Sequence, residues 1–334
     1  MTASPPLSTF SGSRALITGG LGFIGSNLAI RLVELGADVT LVDAMIPGYG
    51  GNLFNIQPIR DRVTVNFSDV RDTNVMNHLV PGQDFVFHLA GQVDHILSLS
   101  DPFPDIDINI KGTAVVMEAL KLYNSRARVV YTGTRGQYGP VVALPVREDS
   151  PTHPKGLYEL SNLTAEAILD IYNEVHDIHS VMLRLTNIYG PRAQMRHSRY
   201  GVANWFIRLA VDGEAIKVFG DGRIKRDFLY IDDCVEAILM SALVDAARGE
   251  VLNVGVDSPT DFRELAETIV EVAGTGSWEF AEFSAERKKQ EPGDFYSDID
   301  KIGRLVGWRP TTSARDGIAA TVDFYRRNRD KYWE

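Results

Sequence analysis

RALITGGLGFIGSNLAIRLVELGADVTLVD, residues 14–43, reads as a strand, a turn, a helix and a second strand in direct succession. Ala15, Leu16 and Ile17 make a short apolar run ending at Thr18, the length of a buried strand, and Gly19, Gly22 and Gly25 follow at once. Ile24, Leu28, Leu32 and Leu35 recur at three- and four-residue steps and lay one apolar face along a helix, with Gly36 where a helix-ending glycine belongs. Val39, Leu41 and Val42 give a second strand closing on Asp43. Glycines at this spacing permit a tight turn, let a pyrophosphate approach the backbone and allow the helix to pack closely, while the helix N-terminus offers unpaired N–H groups to the anion. Asp43 stands where a carboxylate accepts from a ribose 2′-hydroxyl and repels a 2′-phosphate. The stretch predicts a dinucleotide site contacted by Gly19, Gly22, Phe23, Ile24, Gly25 and Asp43, with NAD, not NADP, as its cofactor.

Composition narrows the rest. A chain of 334 residues with 44% hydrophobic residues has ample material for a packed core and the length of about two domains. Its net charge of −10 argues against general nucleic-acid binding. Cys234 is the single cysteine, so no intrachain disulfide forms and a reducing cytoplasm is the expected compartment. The first residues, MTASPPLSTFSG, lack the basic and apolar regions of a leader, and no long apolar run predicts a membrane span.

Further along, Val63, Val65 and Phe67 alternate as a third strand, with Asp69 and Val70 at its end, where they would meet the adenine of a dinucleotide. Asp84 to Leu89 is a buried fourth strand; its His88 reads as hydrogen-bonded core, and Leu89, Ala90 and Gly91 after it line the cofactor's path. Residues 101–123 read mostly as a long helix, and 128–132 as a fifth strand running into the polar, glycine-interrupted loop TGTRGQYG. A helix over 158–178 carries Leu160, Leu163, Ala167, Ile171 and Val175 on one apolar face and Tyr158 and Asn162 on another. Tyr158 is the candidate general base. Val181 to Leu185 is a sixth strand, and this alternation predicts an α/β protein, a Rossmann-type doubly wound parallel sheet. The pairs His176 with His179 and Asp232 with Asp233 lack a third ligand at usable spacing, so no metal site is expected.

These motifs together resemble the extended short-chain dehydrogenase/reductase family, in particular its nucleotide-sugar epimerases and dehydratases. TGGLGFIG is similar to the family's TGGxGFIG, and Thr134 four residues before Tyr138-Gly139 is similar to its catalytic Ser/Thr segment. RLTNIYGPR, VFGDGRIKRDFLYIDD and VGWRP resemble three later family motifs. The resemblance implies a smaller C-terminal substrate-binding domain of residues 187–228 and 259–334 beside a cofactor domain of 12–186 and 229–258. It implies Tyr158 and Thr134 as catalytic residues. It places Asn187 at the sugar or diphosphate, Phe219 near the nucleotide base and Arg226 on the diphosphate, for which a forked guanidinium suits phosphate oxygens. It also implies a homodimer through helices 101–123 and 158–178.

Two positions depart from the pattern. The family's Tyr-x-x-x-Lys is here Tyr158-Glu159-Leu160-Ser161-Asn162, so an amide replaces the ammonium that stabilises tyrosinate and holds the nicotinamide ribose. Glu291 stands in QEPGD where the resemblance leads one to expect arginine. Arg135 and Gly136 follow Thr134, where the 4,6-dehydratases carry Asp and Glu, and a decarboxylase also asks for an acid there. The expectation is therefore an NAD-dependent nucleotide-sugar epimerase acting at C4, with Tyr158, Thr134 and Asn162 at the chemistry, Tyr158 and Asn162 also facing the cofactor, and Thr134 and Arg135 facing the substrate. A dehydratase, another sugar-nucleotide oxidoreductase, or a weakly catalytic binding protein lacking the lysine stay open beside it.

Overall fold

The computed structural model describes residues 6–94, 97–283 and 293–333. Strand β1 (Arg14–Thr18) feeds helix α1 (Phe23–Glu34), and β2 (Asp38–Val42) returns parallel to β1 with Ala15 beside Val39. The helix starts directly after Gly22, buries Leu28, Leu32 and Val33, and stops where Gly36 takes φ +86°. The chain then makes an irregular connection and a 3₁₀ stretch (Leu53–Arg62) before β3 (Val63–Asn66). Phe67 lies beyond that strand, against the expectation that it continues the alternation: Ser68 N–H turns back to Asn66 C=O, and the Phe67 ring is 59% exposed. β3 is the edge strand of the sheet.

Next come α2 (Thr73–Leu79), β4 (Phe85–His88), the short α3 (Leu97–Ser100) and α4 (Gly112–Tyr123), whose N-terminal extension Asp105–Lys111 has π-helical hydrogen bonding. β5 (Arg128–Thr134), α5 (Leu157–His176) and β6 (Ser180–Leu185) continue the alternation. The C-terminal part holds β7 (Asn187–Tyr189), α6 (Val202–Asp212), β8 (Ala215–Phe219), β9 (Lys225–Arg226), β10 (Phe228–Tyr230) and α7 (Ile231–Leu243). It ends with β11 (Val251–Val254), β12 (Thr260–Asp261), α8 (Phe262–Ala273), β13 (Ser277–Ala281), α9 (Asp300–Val306) and α10 (Ala314–Tyr332).

One seven-stranded parallel sheet runs in the order β11, β6, β5, β4, β1, β2, β3. The order reverses beside β1, which opens a crevice at the strand C-termini. Three small pairs, β7 with β10, β9 with β12 and β8 with β13, sit beyond it. The motif Gly190-Pro191-Arg192 ties this part to the first helix: Arg192 donates to Asn27 Oδ1 and to Asn55 C=O, and Asn27 donates to Pro191 C=O.

Helix α5 buries one face and exposes another. Its inward face is Ser161, Asn162, Ala165, Glu166 and Leu169, whereas the stripe that gives its sequence a helical period is turned outward. Ile171 and Val175 on that stripe are 55% and 67% exposed, and Phe103 and Leu122 at either end of the neighbouring helical segment are exposed as well.

Candidate active site

The strand C-termini open into a single cavity of about 1550 Å³, and every residue singled out from the sequence for cofactor, substrate or catalysis lies on its wall. At one end is the glycine turn. Gly19 has φ +68°, and a Cβ there would come within 2.9 Å of Ala90 N, so β1 and β4 approach here as closely as backbones can. Gly25 is under a second constraint, since its Cβ would sit 2.3 Å from Gly19 C=O. Gly22, Phe23 and Ile24 form the start of α1 and complete this wall.

Asp43 follows β2 with Oδ2 accepting from Leu21 N–H at 3.0 Å and Oδ1 from Met45 N–H at 2.9 Å. Burial raises its pKa, and the two backbone bonds oppose that rise by favouring the carboxylate. Asp69 is held in a fork by Arg71, at 2.9 and 2.6 Å, and this pairing lowers its pKa. Val70, Leu89, Ala90 and Gly91 line the same end.

Behind it, Thr18 Oγ1 lies 2.8 Å from His88 Nδ1 and Thr113 Oγ1 lies 3.0 Å from His88 Nε2. Thr113 donates to Asn109 C=O, so it accepts from Nε2–H, and Nδ1 is the acceptor for Thr18. Burial depresses the His88 pKa to about 4, and the ring is neutral core, as its place in an apolar strand indicates. Thr18 Oγ1 also accepts from Leu89 and Ala90 N–H and thereby shapes the cofactor wall.

In the middle of the cavity Thr134 and Tyr158 line the wall together, and the Thr134 hydroxyl lowers the pKa of the tyrosine. Thr134 Oγ1 accepts from Gly136 N–H at 3.1 Å, which leaves its own proton available to donate. The loop is held from below: Thr134 N–H donates to Gln137 Oε1, Gln137 Nε2 donates to Glu166, and Glu166 forms a buried fork with Arg184 at 2.6 and 3.0 Å. Arg184 in turn stacks on the Tyr138 ring at 4.6 Å. Burial pushes the Tyr158 hydroxyl up to about 12; the Thr134 hydroxyl and the Arg135 charge pull it down, while Glu159 and Asp105 push it further up.

Asn162, one helical turn after Tyr158, is 7% exposed and already engaged at both ends. Its Nδ2 donates to Tyr158 C=O at 2.8 Å, and its Oδ1 accepts from Tyr131 O–H at 2.9 Å. Tyr131, at the middle of β5, did not stand out in the sequence, where it reads as an ordinary apolar strand residue.

The far end of the cavity is aromatic and basic. Phe219 faces Phe283 with ring centroids 5.5 Å apart. Phe283 carried no sequence signal, because only the pairing of β13 with β8 brings it there. Arg226 is 3% exposed, lies 5.7 Å over the Phe262 ring and donates to the carbonyls of Lys225 and Gly293. Asn187 donates to Asp227 C=O at 3.1 Å. Arg135 stacks on Phe295 at 4.9 Å. Glu291 lies outside the described residues. Among the described residues no three His, Cys, Asp or Glu side chains group as a metal site would require.

A parallel sheet with a glycine turn under its reversal point, an acid after β2, and Thr134 at the end of β5 beside Tyr158 at the start of α5 define a Rossmann-type nucleotide-sugar protein of the extended short-chain dehydrogenase/reductase group. The chain belongs to the NAD dependent epimerase/dehydratase family, whose model matches residues 15–255. It is 33% identical to a UDP-glucose 4-epimerase of Mycolicibacterium smegmatis over 94% of this chain and 98% of that one. It is 30% identical to a dTDP-glucose 4,6-dehydratase of Streptomyces niveus, over 96% and 95%. Among solved structures it is similar to the UDP-glucose 4-epimerase of Thermotoga maritima with UDP-glucose, at TM-score 0.84 and 28% identity, over 94% and 99%.

The cofactor is NAD, and the cradle fits it: the glycine turn leaves no room for side chains at Gly19 and Gly25, and Asp43 supplies the acid. Asp43→Ala is expected to weaken NAD by about tenfold or more, the value of a hydrogen bond to a charged group, and to narrow the preference over NADP. Titration calorimetry with both dinucleotides checks this; equal affinities in the parent protein contradict the role of Asp43.

Proposed function

We propose that the protein is an NAD-dependent nucleotide-sugar epimerase, an isomerase that inverts C4 through a transient 4-keto sugar. The Thr134–Tyr158 hydroxyl pair at the middle of the cavity carries this reading. When bound, NAD supplies the chemistry of accepting a hydride from C4 and returning it. Tyr158 takes the C4 hydroxyl proton and later gives it back, and Thr134 donates to the tyrosine oxygen while that oxygen is charged. Gly19 to Gly25, Asp43, Asp69, Val70 and Leu89 to Gly91 hold the cofactor, with Tyr158 and Asn162 at its reactive end. Asn187, Phe219 and Arg226, with Thr134 and Arg135, hold the sugar nucleotide, and the ranges 187–228 and 259–334 form the domain that carries most of them.

The absence of an acid at positions 135 and 136 favours inversion over loss of water. The test is to incubate the protein and NAD with UDP-, dTDP-, GDP- and CDP-sugars and follow products by NMR. A C4 epimer is expected; a 4-keto-6-deoxy product would establish the dehydratase reading, and no conversion of any sugar would establish the binding-protein reading.

No helix among the described residues is long and apolar enough to cross a membrane. A nucleotide-sugar enzyme with a single cysteine suits a reducing cytoplasm, which is the compartment this reading assigns. The exposed apolar stripe of α5 is assigned to a homodimer formed by helices 101–123 and 158–178. Ile171→Asp combined with Val175→Asp is expected to convert a dimer to a monomer in sedimentation velocity. A parent that sediments as a monomer overturns the assignment.

A further inference from the structure

The end of helix α10 meets the connection that follows β2. Beyond a break from helical dihedrals at Asn328 (φ −126°, ψ 22°), its last turn carries Tyr332, which is 3% exposed and set among Phe54, Phe324 and Tyr325 with ring centroids 5.2–5.9 Å away. The Tyr332 hydroxyl donates to Asn55 Oδ1 at 2.6 Å, across 277 positions of chain. Asn55 is fully buried, and its Nδ2 donates to Leu21 C=O at 2.9 Å and to Arg192 C=O at 3.3 Å. The tyrosine proton satisfies Oδ1 and so holds the amide with its nitrogen toward Leu21. Leu21 stands in the glycine turn between Gly19 and Gly22, and its N–H donates to Asp43 Oδ2. A second contact runs beside the first: Asn52 Nδ2 donates to Lys331 C=O at 3.0 Å, and Asn52 N–H donates to Leu21 C=O.

The connection after β2 has little of its own to fix Asp43. Met45, whose N–H is the other donor to that carboxylate, takes φ +49°, a region that residues with side chains rarely adopt, and Gly48 and Gly50 take φ +85° and +90°. The direction of the carboxylate therefore depends on Leu21, and the place of Leu21 on Asn55. Each Asp43 oxygen keeps lone-pair capacity beyond the backbone bond it accepts, which suits it to the ribose hydroxyls. A carboxylate already held in one direction forms those bonds at little cost in its own freedom, and its charge opposes a 2′-phosphate.

We propose that Tyr332 is a positioning residue of the NAD site, holding Asp43 through Asn55 and Leu21 and so setting the preference for NAD over NADP. The inference concerns dinucleotide choice alone and stands apart from the reaction the sugar undergoes. Titration calorimetry of the full chain with NAD and with NADP tests it, on the parent, Tyr332→Phe, Asp43→Ala and the two substitutions together. Tyr332→Phe keeps the ring in its aromatic surroundings and removes only the proton donor. It is expected to weaken NAD by about fivefold to tenfold, the effect of one lost hydrogen bond, and to leave NADP within about twofold, so that the preference narrows. On the Asp43→Ala background the same substitution is expected to change NAD affinity by less than about twofold, because its route to the cofactor is already gone. A Tyr332→Phe variant that keeps the parent's ratio of affinities overturns the inference. So does an equal effect on both backgrounds, which makes Tyr332 a support of the fold at large. Equal affinities for NAD and NADP in the parent overturn the role of Asp43 and this inference with it.

Discussion

Tyr158→Phe lowers the rate of C4 inversion by about 10²–10⁴-fold, the usual contribution of a positioned proton-transfer group, and leaves NAD affinity nearly unchanged. The expected loss is large because Tyr158 is the group proposed to move the C4 hydroxyl proton, with the Thr134 hydroxyl lowering its pKa. The pH profile of the parent carries the same signature. Burial holds the Tyr158 hydroxyl near 12, so at neutral pH the group is protonated, and the fraction able to accept a proton grows about tenfold per pH unit below that value. Inversion therefore speeds up from pH 6 to 9. NMR rates at fixed NAD and sugar across that range check both statements. A parent that is fast and flat across it, and indifferent to Tyr158→Phe, contradicts the role of Tyr158 and directs attention to Arg135.

Asn162→Lys shifts that profile downward and raises the rate at pH 7. A positive charge within about 4–6 Å of a titrating hydroxyl lowers its pKa by roughly 1–3 units, so a gain of about 10–1,000-fold is expected where the tyrosinate fraction limits the rate. The structure states what the longer side chain must accommodate. Asn162 is packed between Tyr131 O–H and Tyr158 C=O, and the lysine ammonium would take the Tyr131 oxygen as acceptor once that hydroxyl turns. The Tyr158 carbonyl keeps its second donor, Ser161 Oγ at 2.9 Å, so the helix turn survives the exchange. Tyr131→Phe in the Asn162→Lys background removes the acceptor, and the gain is expected to shrink. Rates that stay put while thermal unfolding shows an intact fold would place the 162 side chain outside the tyrosine's electrostatic reach.

Much of this protein was legible in the order of its residues. Periodicity alone separates β1, α1 and β2, since an apolar run, a glycine turn and a helical stripe admit one local solution, and Asp43 at the end of that unit is what led to the expectation of NAD. The parallel sheet follows from alternation, because each strand buried on both faces needs a helix to return the chain. The resemblance added the candidate residues Thr134, Asn187, Phe219 and Arg226 to Tyr158, which helix periodicity had already picked out, and the fold gathers all five on one cavity wall. Helix α5 shows where periodicity stops informing. Its strongest apolar stripe, Ile171 and Val175 among it, faces outward, and its weaker, partly polar face enters the core. A hydrophobic period reports that a face seeks cover, with no indication of whether the chain itself supplies it. The partners of Asn162 and of Asn55 were likewise decided only by tertiary structure. Tyr131 lies on β5, far from α5 in sequence, Tyr332 lies 277 positions from Asn55, and hydrogen bonds act across whatever distance folding removes.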